Sequence, residues 1–274
     1  MSLNLSQELL TDISTFLNRE RINFKVNHPL ITNPTSYPLM NLKIVTHNIN
    51  GIRTNHIKLS SILNWCSINQ IDILALNETN CEEKDATFKL TDHQKKDYQF
   101  IWSTKDESKQ KGSGVALIFR KTWSKYYYGC TIFSPYLIQV KFLFYGRELI
   151  VWAYYIPPNN KEITDQISSF IQMHQIHSRS AKIFDIWLGD TNATHNLILD
   201  KTPSDSTSTS HNRKIFNIME SADLIDSFRA MNPSKIDFTW SNPPVSTRID
   251  HIWIPQPYMK FLKWIQHVDS NFIT

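Results

Sequence analysis

Short apolar runs separated by polar segments dominate the chain from Leu42 onward. Continuous hydrophobicity over five to eight residues is typical of strands that are covered on both faces. The runs with this pattern are LKIVTHN, IDILALNE, GVALIFR, LIVWAYYI and KIFDIWLGD. The pattern therefore predicts the central strands of a sheet system.

Amphipathic segments alternate with these runs, which predicts helices between strands. The first apolar stripe consists of Leu59, Ile62, Leu63 and Cys66, and the second of Ile163, Ile167, Phe170 and Ile171. The polar region 191–212 predicts a long loop. Strands and helices mixed in this order predict a layered α/β domain, with sheets packed together and helices outside.

The first 41 residues have a different pattern. One weak helical stripe, containing Leu9, Leu10, Ile13 and Phe16, is followed by a polar stretch with three prolines. We therefore expect residues 1–41 to be an N-terminal extension and linker, and residues 42–274 to form one domain.

Composition narrows the class of protein. A chain of 274 residues with 41% hydrophobic content can bury a substantial core, and a net charge of +4 permits a polyanionic partner without requiring one. The three cysteines lack CxxC spacing, so we expect reduced thiols rather than a disulfide framework or a zinc site. No segment has the roughly 20 apolar residues that span a bilayer. We expect a soluble, intracellular protein with no membrane partner and no obligate protein partner.

Several apolar runs end in a polar residue that a buried strand does not need. Catalytic groups of layered α/β folds cluster where strand ends emerge. The residues at such positions are Asn48, Glu78, Asp190, Asn192 and Asp250. Carboxylates can hold Mg²⁺ together with its waters, and amides can donate to phosphate oxygens. This combination suits hydrolysis of a phosphodiester by a positioned water.

Each of these residues also has an ordinary structural interpretation. Glu78 could be a helix cap or a turn residue, and Asn48 precedes Asn50-Gly51, which is itself a turn signal. Asp250 could pair with the nearby Arg248. Agreement at five strand ends favours a shared site over five separate structural roles.

The motifs THNINGIR, LNET, YYIPPN, LGDTN, DFTW and RIDHIW occur in this order from about Leu42 to the C-terminus. This ordered set resembles the endonuclease/exonuclease/phosphatase superfamily, and within it the apurinic-type endonuclease domains of LINE-type retrotransposons. The resemblance implies a four-layer, deoxyribonuclease-like sandwich of two packed mixed β-sheets flanked by helices. It also implies an intracellular enzyme that cleaves DNA with Mg²⁺, or with Mn²⁺ in its place, and a nuclear location if genomic DNA is the substrate.

The resemblance further implies roles for individual residues. Asn48 would contact the scissile phosphate, and Glu78 and Asp190 would bind the metal ion. Asp190 and Asn192 would align the attacking water and stabilise the phosphoryl centre. Tyr155 would be the active-site tyrosine, whereas strand alternation makes Tyr154 a core-facing neighbour.

Three further positions complete the implied site. Thr239 would lie on the substrate side, Arg53 would contact substrate, and Asp250 would orient a general-base histidine. At Thr191 the family usually has an apolar residue, so we expect weaker packing there.

The family has a terminal Ser-Asp-His segment followed by a closing strand, and the sequence ends in HVDSNFIT at about that point. We expect the final strand to be missing, which would leave an unpaired sheet edge and a partly uncovered core. Loss of a general base typically lowers the rate by about 10²–10⁴-fold. His267 and Asp269 precede the expected segment in reversed order, so we interpret His267 as a surface strand histidine.

Two other functions stay open from the sequence. The chain could be a non-catalytic nucleic-acid-binding remnant, or a phosphatase of the same superfamily acting on inositol phosphates or lipid headgroups. The phosphatase would need a strongly basic pocket, and no such motif stands out. The cations available for phosphate contacts in a remnant are Arg53, Lys58, Lys109, Lys111 and Arg120.

Overall fold

The computed structural model describes residues 2–5, 42–52, 55, 57–144, 147–178, 183–204 and 210–268. Arg53, Asp269 and the predicted helix containing Leu9 and Phe16 lie outside these residues. The described residues include most of the domain predicted from Leu42 onward.

The first sheet has six strands. They are β1 (Ser2–Leu5), β2 (Leu42–Asn48), β3 (Ile73–Asn77), β4 (Tyr98–Trp102), β5 (Val115–Arg120) and β15 (Leu262–Gln266). Their order across the sheet is β15-β1-β2-β3-β5-β4. Strands β2 and β3 are parallel to each other, and every other neighbouring pair in this sheet is antiparallel.

The second sheet also has six strands. They are β6 (Tyr127–Ser134), β7 (Leu137–Phe144), β8 (Arg147–Tyr155), β9 (Ile183–Asp190), β11 (Leu224–Asp226) and β14 (Asp250–Pro255). Their order is β11-β14-β9-β8-β7-β6, and the one parallel pair is β8 with β9. The three-stranded third sheet contains β10 (Lys201–Thr202), β12 (Trp240–Asn242) and β13 (Val245–Thr247).

Alternation along the central strands explains the layers. On β3, Ile73 and Ala75 belong to the core between the two large sheets, whereas Leu74 and Leu76 pack in a separate cluster with the first helix. Because successive side chains of a strand point to opposite faces, a strand covered on both sides is apolar at most of its positions. The predicted four-layer fold of packed sheets and outer helices is confirmed.

Both predicted long helices are present. The described helices are α1 (Ile57–Ile68), α2 (Glu83–Phe88), α3 (Asp92–Asp97), α4 (Lys161–Ser178), α5 (Lys214–Ser221) and α6 (Ser227–Met231). The stripe predicted on α1 is buried in full, and on α4 Ile163, Ile167 and Ile171 are buried while Phe170 is partly covered. None of the described helices has the length and apolar character needed to cross a membrane.

The region predicted to be one long loop contains regular structure. Strand β10 lies within it, and a short 3₁₀ helix, His211–Arg213, leads into α5. The prediction of a long loop was wrong for these residues. The local polar composition concealed them because β10 is only two residues long and depends on its pairing with β13.

Strand β1 lies within the segment predicted to be an extension and linker. Its four residues pair antiparallel with β2 on one side and with β15 on the other. Strand β1 therefore lies between β2 and β15, and β15 forms one edge of this sheet. The expected missing closing strand, with its unpaired edge and partly uncovered core, stays a prediction.

Candidate active site

Five polar residues predicted to share a site lie where strands of the two large sheets end. Strand β2 ends at Asn48, and Glu78 directly follows β3. In the second sheet β9 ends at Asp190, which is paired with Tyr155 on β8 and with Asp250 on β14. The registers of the two sheets therefore bring these side chains to one end of the sandwich.

The amide of Asn48 joins the two sheets. Its Nδ2 donates to Oε2 of Glu78 at 3.1 Å and to Oδ2 of Asp190 at 2.8 Å. Since both carboxylate oxygens contact one nitrogen, they lie within about 6 Å of each other. This spacing is short enough for one hydrated divalent ion to contact both carboxylates.

Glu78 has a left-handed backbone, with φ of +56°. Its carbonyl accepts from Gly51 N at 2.7 Å, and its carboxylate also accepts from the hydroxyl of Tyr155 at 3.2 Å. Non-glycine residues in this conformation are strained, and such residues cluster at functional sites. The alternative interpretation of Glu78 as an ordinary helix cap or solvated turn residue does not fit these contacts.

Asp190 and Asp250 are buried carboxyl groups on neighbouring strands, with 1% and 7% of their surface exposed. Burial raises the pKa of both groups, and Asp250 raises that of Asp190 further because like charges repel. Asp190 accepts from Asn48 and from Asn192 N. Oδ1 of Asp250 is buried and has no hydrogen-bond partner among the described residues.

The chemistry of these side chains shows whether the site fits a divalent cation. Two close carboxylates, Glu78 and Asp190, supply hard oxygen ligands, and a cation would relieve the repulsion between Asp190 and Asp250. The described residues contain no group of three or more His, Cys, Asp or Glu side chains arranged around one metal position. Mg²⁺ commonly uses only one or two carboxylates and keeps several waters, so the residues present fit this ion.

Asn192 and Thr239 support the site from two sides. Asn192, with φ of +46°, donates from Nδ2 to the carbonyl of Ile156 at 3.0 Å. The hydroxyl oxygen of Thr239 accepts from the backbone N–H groups of Ile249 and Asp250. In the structure Thr239 fixes the start of β14, and its role as a substrate-side residue stays a prediction.

Two predictions about residues next to the site have different outcomes. Tyr154 is fully buried, as strand alternation predicted. Thr191 was expected to weaken packing, but its hydroxyl is buried and bonds to the carbonyls of Ile249 and Ala193 at 3.0 and 2.9 Å. The threonine therefore connects the end of β9 to the start of β14, a contact that an apolar residue could not make.

A cavity of about 660 Å³ opens over these groups. Sequence reasoning identified Asn48, Glu78, Asp190, Asn192, Thr239 and Asp250 among its lining residues, but missed His47, Asp237, Trp240 and His267. His47 stands beside Asn48 in THNIN, and burial lowers its pKa to about 3. The motif DFTW contains Asp237 and Trp240, so their closeness to Thr239 was a signal that could have identified them.

His267 is not the surface strand histidine that we predicted. It follows β15, its ring stacks on Phe228 at 4.1 Å, and Nδ1 lies 3.3 Å from Oδ2 of Asp237. Its side chain is 9% exposed, and burial lowers its pKa to about 4. The prediction was wrong because Phe228 and Asp237, which surround this ring, are distant in sequence.

The lysines and arginines that were candidates for phosphate contacts differ in position and in the partners of their side chains. Arg120 lies at the opposite end of β5 from the site, and its guanidinium donates to the carbonyls of Ile71 and Ser67. Lys58 donates to the carbonyls of Ile49 and Asn50. Neither arrangement supports the predicted phosphate contact, because backbone carbonyls already engage both cations.

Lys109 and Lys111 lie on a segment that reaches the site. They lie on the segment between β4 and β5, whose Gly112 is next to the hydroxyl of Tyr155. Asp106 fixes this segment by accepting from the hydroxyl of Tyr136 at 2.6 Å. Nζ of Lys109 lies 4.0 Å from Oδ2 of Asp106 and 5.1 Å from the centroid of the Tyr136 ring, and neither lysine is among the described residues that line the cavity.

Residues 45–260 match the model of the Endonuclease/Exonuclease/phosphatase family. No curated protein sequence matches the chain.

Similar solved structures share the fold at low sequence identity. An AP endonuclease from Leishmania major is 14% identical with a TM-score of 0.64, and covers 90% of this chain and 91% of its own. A 3′ phosphatase from Neisseria, bound to a product DNA hairpin, is 18% identical with a TM-score of 0.61, covering 79% and 88%. An AP endonuclease from Archaeoglobus fulgidus is 19% identical with a TM-score of 0.59, covering 80% and 88%.

Proposed function

Because the chain belongs to the endonuclease/exonuclease/phosphatase family, we propose that it is a divalent-metal-dependent phosphodiester hydrolase acting on DNA. The observation that carries this proposal is the amide of Asn48, which bonds to one carboxylate from each sheet. We further propose that it resembles most closely the endonuclease domains of LINE-type retrotransposons. A genomic DNA substrate would then place its activity in the nucleus.

Glu78 and Asp190 would hold Mg²⁺, or Mn²⁺ in its place. The bound ion would polarise the phosphoryl group and stabilise charge on the leaving oxygen. Within the protein, the amide of Asn48, which now donates to both carboxylates, would be the donor to a non-bridging phosphate oxygen of bound substrate. The hydroxyl of Tyr155, which now bonds to Glu78, would keep that carboxylate in place.

The other residues would position the attacking water. The carboxylate of Asp190 is held by Asn48 and by the backbone of Asn192, so its orientation is fixed before substrate binds. Asn192 lies beside it and would donate to the phosphoryl centre as negative charge develops. Asp250, whose buried Oδ1 has no hydrogen-bond partner among the described residues, would orient the group that accepts the proton of the attacking water.

The substrate class is supported by charge and by the neighbours. Lys109 and Lys111 would meet the phosphates that flank the scissile bond, and the similar structures include AP endonucleases and a 3′ phosphatase bound to DNA. Arg53, which lies outside the described residues, remains a proposed substrate contact. A phosphatase for clustered phosphates is less well supported because it would need a strongly basic pocket, and no such lysine or arginine motif stands out.

The experiment that tests the substrate is a comparison of duplexes. The purified chain would be incubated with Mg²⁺ and with an abasic duplex, an undamaged duplex, a 3′-phosphorylated duplex and a soluble inositol phosphate. We expect cleavage of DNA that EDTA abolishes. Activity on inositol phosphate alone would contradict the proposal, and salt-sensitive DNA binding without cleavage would select a binding remnant instead.

A further inference from the structure

Arg248 is completely buried between two carboxylates. Its Nε and Nη2 each donate to Asp200 at 2.9 Å, and Nη2 donates to Asp226 at 2.6 Å. Burial alone would lower the pKa of this guanidinium, but Asp226 and Asp200 raise it. Burial alone would raise the pKa of Asp226, but Arg248 holds it well below the usual range. The guanidinium and Asp226 are therefore both charged at neutral pH.

The two carboxylates belong to different parts of the chain. Asp200 ends the segment that begins with Thr191 and Asn192 after β9, and it closes that segment by accepting from Asn196 N at 2.9 Å. Asp226 ends β11 and caps α6 through the N–H groups of Phe228 and Arg229. One guanidinium therefore holds the segment that carries Asn192 against the second sheet.

The same residue fixes the start of β14. Arg248 N donates to the carbonyl of Asp200 at 2.8 Å, and the next carbonyl, that of Ile249, accepts from Thr191 N at 2.9 Å. Asp250 follows, and its register partner is Asp190. The backbone that presents Asp250 is thus tied to Asp200 just before Ile249, and to the end of β9 at Ile249 and Asp250.

We propose that Arg248 is a positioning residue for the candidate active site, holding Asp250 opposite Asp190 and the Asn192 segment beside them. This proposal rests on the proposed function of the site. The planar guanidinium can bond to two carboxylates at once, whereas a lysine ammonium keeps the charge but cannot match that geometry. Supporting residues of this kind typically change activity or metal affinity by about 10–100-fold when they are altered.

If Arg248 had a purely structural role, its substitution would have the same kind of effect as substitution of Arg229. Arg229 also donates to the carboxylate of Asp200, and to the carbonyls of Asn232 and Lys235. Its helix, α6, carries none of the predicted site residues. Arg248→Lys and Arg229→Lys therefore each remove one guanidinium from the carboxylate of Asp200. Only Arg248 belongs to the chain segment that leads directly into Asp250.

The test measures folding and catalysis on the full chain. Melting temperatures with and without Mg²⁺ would be recorded first, and kcat and KM for DNA would then be measured below both transitions. We expect Arg248→Lys to lower kcat by about 10–100-fold with little change in KM, and to reduce the rise in melting temperature caused by Mg²⁺. Arg229→Lys should lower the melting temperature while keeping kcat and the Mg²⁺ effect of the unmodified chain.

Equal effects of the two substitutions on kcat and on the Mg²⁺ response would overturn the positioning role. If Arg248→Lys does not fold, Asp200→Asn keeps the side-chain volume and the Arg248–Asp226 pair, and should lower kcat in the same direction. A chain that shows the Mg²⁺ response but cuts no DNA contradicts the proposed function only, and the Mg²⁺ response still tests Arg248. A chain whose melting temperature does not rise with Mg²⁺ and that cuts no DNA would overturn both proposals.

Discussion

Asp190 and Asp250 stand directly opposite each other on neighbouring antiparallel strands, and both carboxyl groups are buried. Burial disfavours the charged form of both acids, and repulsion by Asp250 disfavours that of Asp190 further. The raised pKa of each group is the expected consequence. The pair therefore lowers the stability of the metal-free protein at neutral pH and favours cation binding.

The first prediction follows from this pair. Asp190→Asn removes one ionisable group, so it should raise the melting temperature in EDTA at pH 8, by about 2–4 °C for each 1 kcal/mol regained. A carboxyl whose pKa is raised in the folded state stabilises below its unfolded pKa and loses that contribution as pH rises through the folded pKa. The advantage of the variant should therefore shrink as pH falls toward 4.

Melting curves of both proteins at several pH values, with EDTA and with Mg²⁺, would provide the measurement. Mg²⁺ should stabilise the unmodified protein more than the variant, since Asp190 is a proposed ligand. An advantage of the variant that is constant across pH would show that the acid pair is not its cause.

The second prediction concerns the amide of Asn48. Asn48→Ala removes the donor that joins Glu78 to Asp190, and kcat for DNA cleavage should fall by about 10²–10³-fold, as expected for loss of a donor to a developing oxyanion. The substitution should change the melting temperature little. Steady-state cleavage assays with saturating Mg²⁺ would measure it, and an unchanged kcat would remove Asn48 from the mechanism.

Adjacent tyrosines give the third prediction. Tyr155→Phe removes the hydroxyl that bonds to Glu78, and hydrogen bonds to charged groups contribute about 1.5–3 kcal/mol, so kcat should fall by about 10–100-fold. Tyr154→Phe is the matched control, because Tyr154 is fully buried and its hydroxyl has no hydrogen-bond partner among the described residues. Similar activity losses for the two variants would contradict the separate roles of these neighbours.

Much of this site was predictable because its signals are local. A polar residue at the end of an apolar strand is visible in the sequence, and parallel strands bring such ends together. Asn48, Glu78 and Asp190 were found in this way, and the bonds of Asn48 confirm that they meet. The fold followed from the same runs, since continuous hydrophobicity marks strands with two covered faces.

Other features depend on partners that are far away in the chain. The four residues of β1 are too few to show a period, and their strand pairing is defined only by β2 and β15. The burial of His267 depends on Phe228 and Asp237. Arg248 was considered as a partner of Asp250, but the long-range carboxylates Asp200 and Asp226 bind it instead.

The fourth prediction tests the two lysines of the segment between β4 and β5. Replacing Lys109 and Lys111 together with glutamine should weaken DNA binding and reduce the slope of log K against log salt by about 0.9 for each phosphate that the protein no longer neutralises. Lys121→Gln is the control, because this exposed lysine follows Arg120 at the opposite end of β5. Binding isotherms at several salt concentrations would measure these slopes. Equal slopes for the two variants would show that DNA does not contact Lys109 and Lys111.

The central claim is that Glu78 and Asp190 hold one divalent ion that is needed to cut a phosphodiester bond. Its most direct measurement is the initial rate of supercoiled plasmid nicking as a function of Mg²⁺ concentration, for the unmodified chain and for Glu78→Gln. We predict nicking that rises to saturation with Mg²⁺ in the unmodified chain, and a much lower rate with weaker Mg²⁺ dependence in the variant. Nicking that does not depend on Mg²⁺, no nicking by the unmodified chain, or identical curves for the two proteins would contradict the claim.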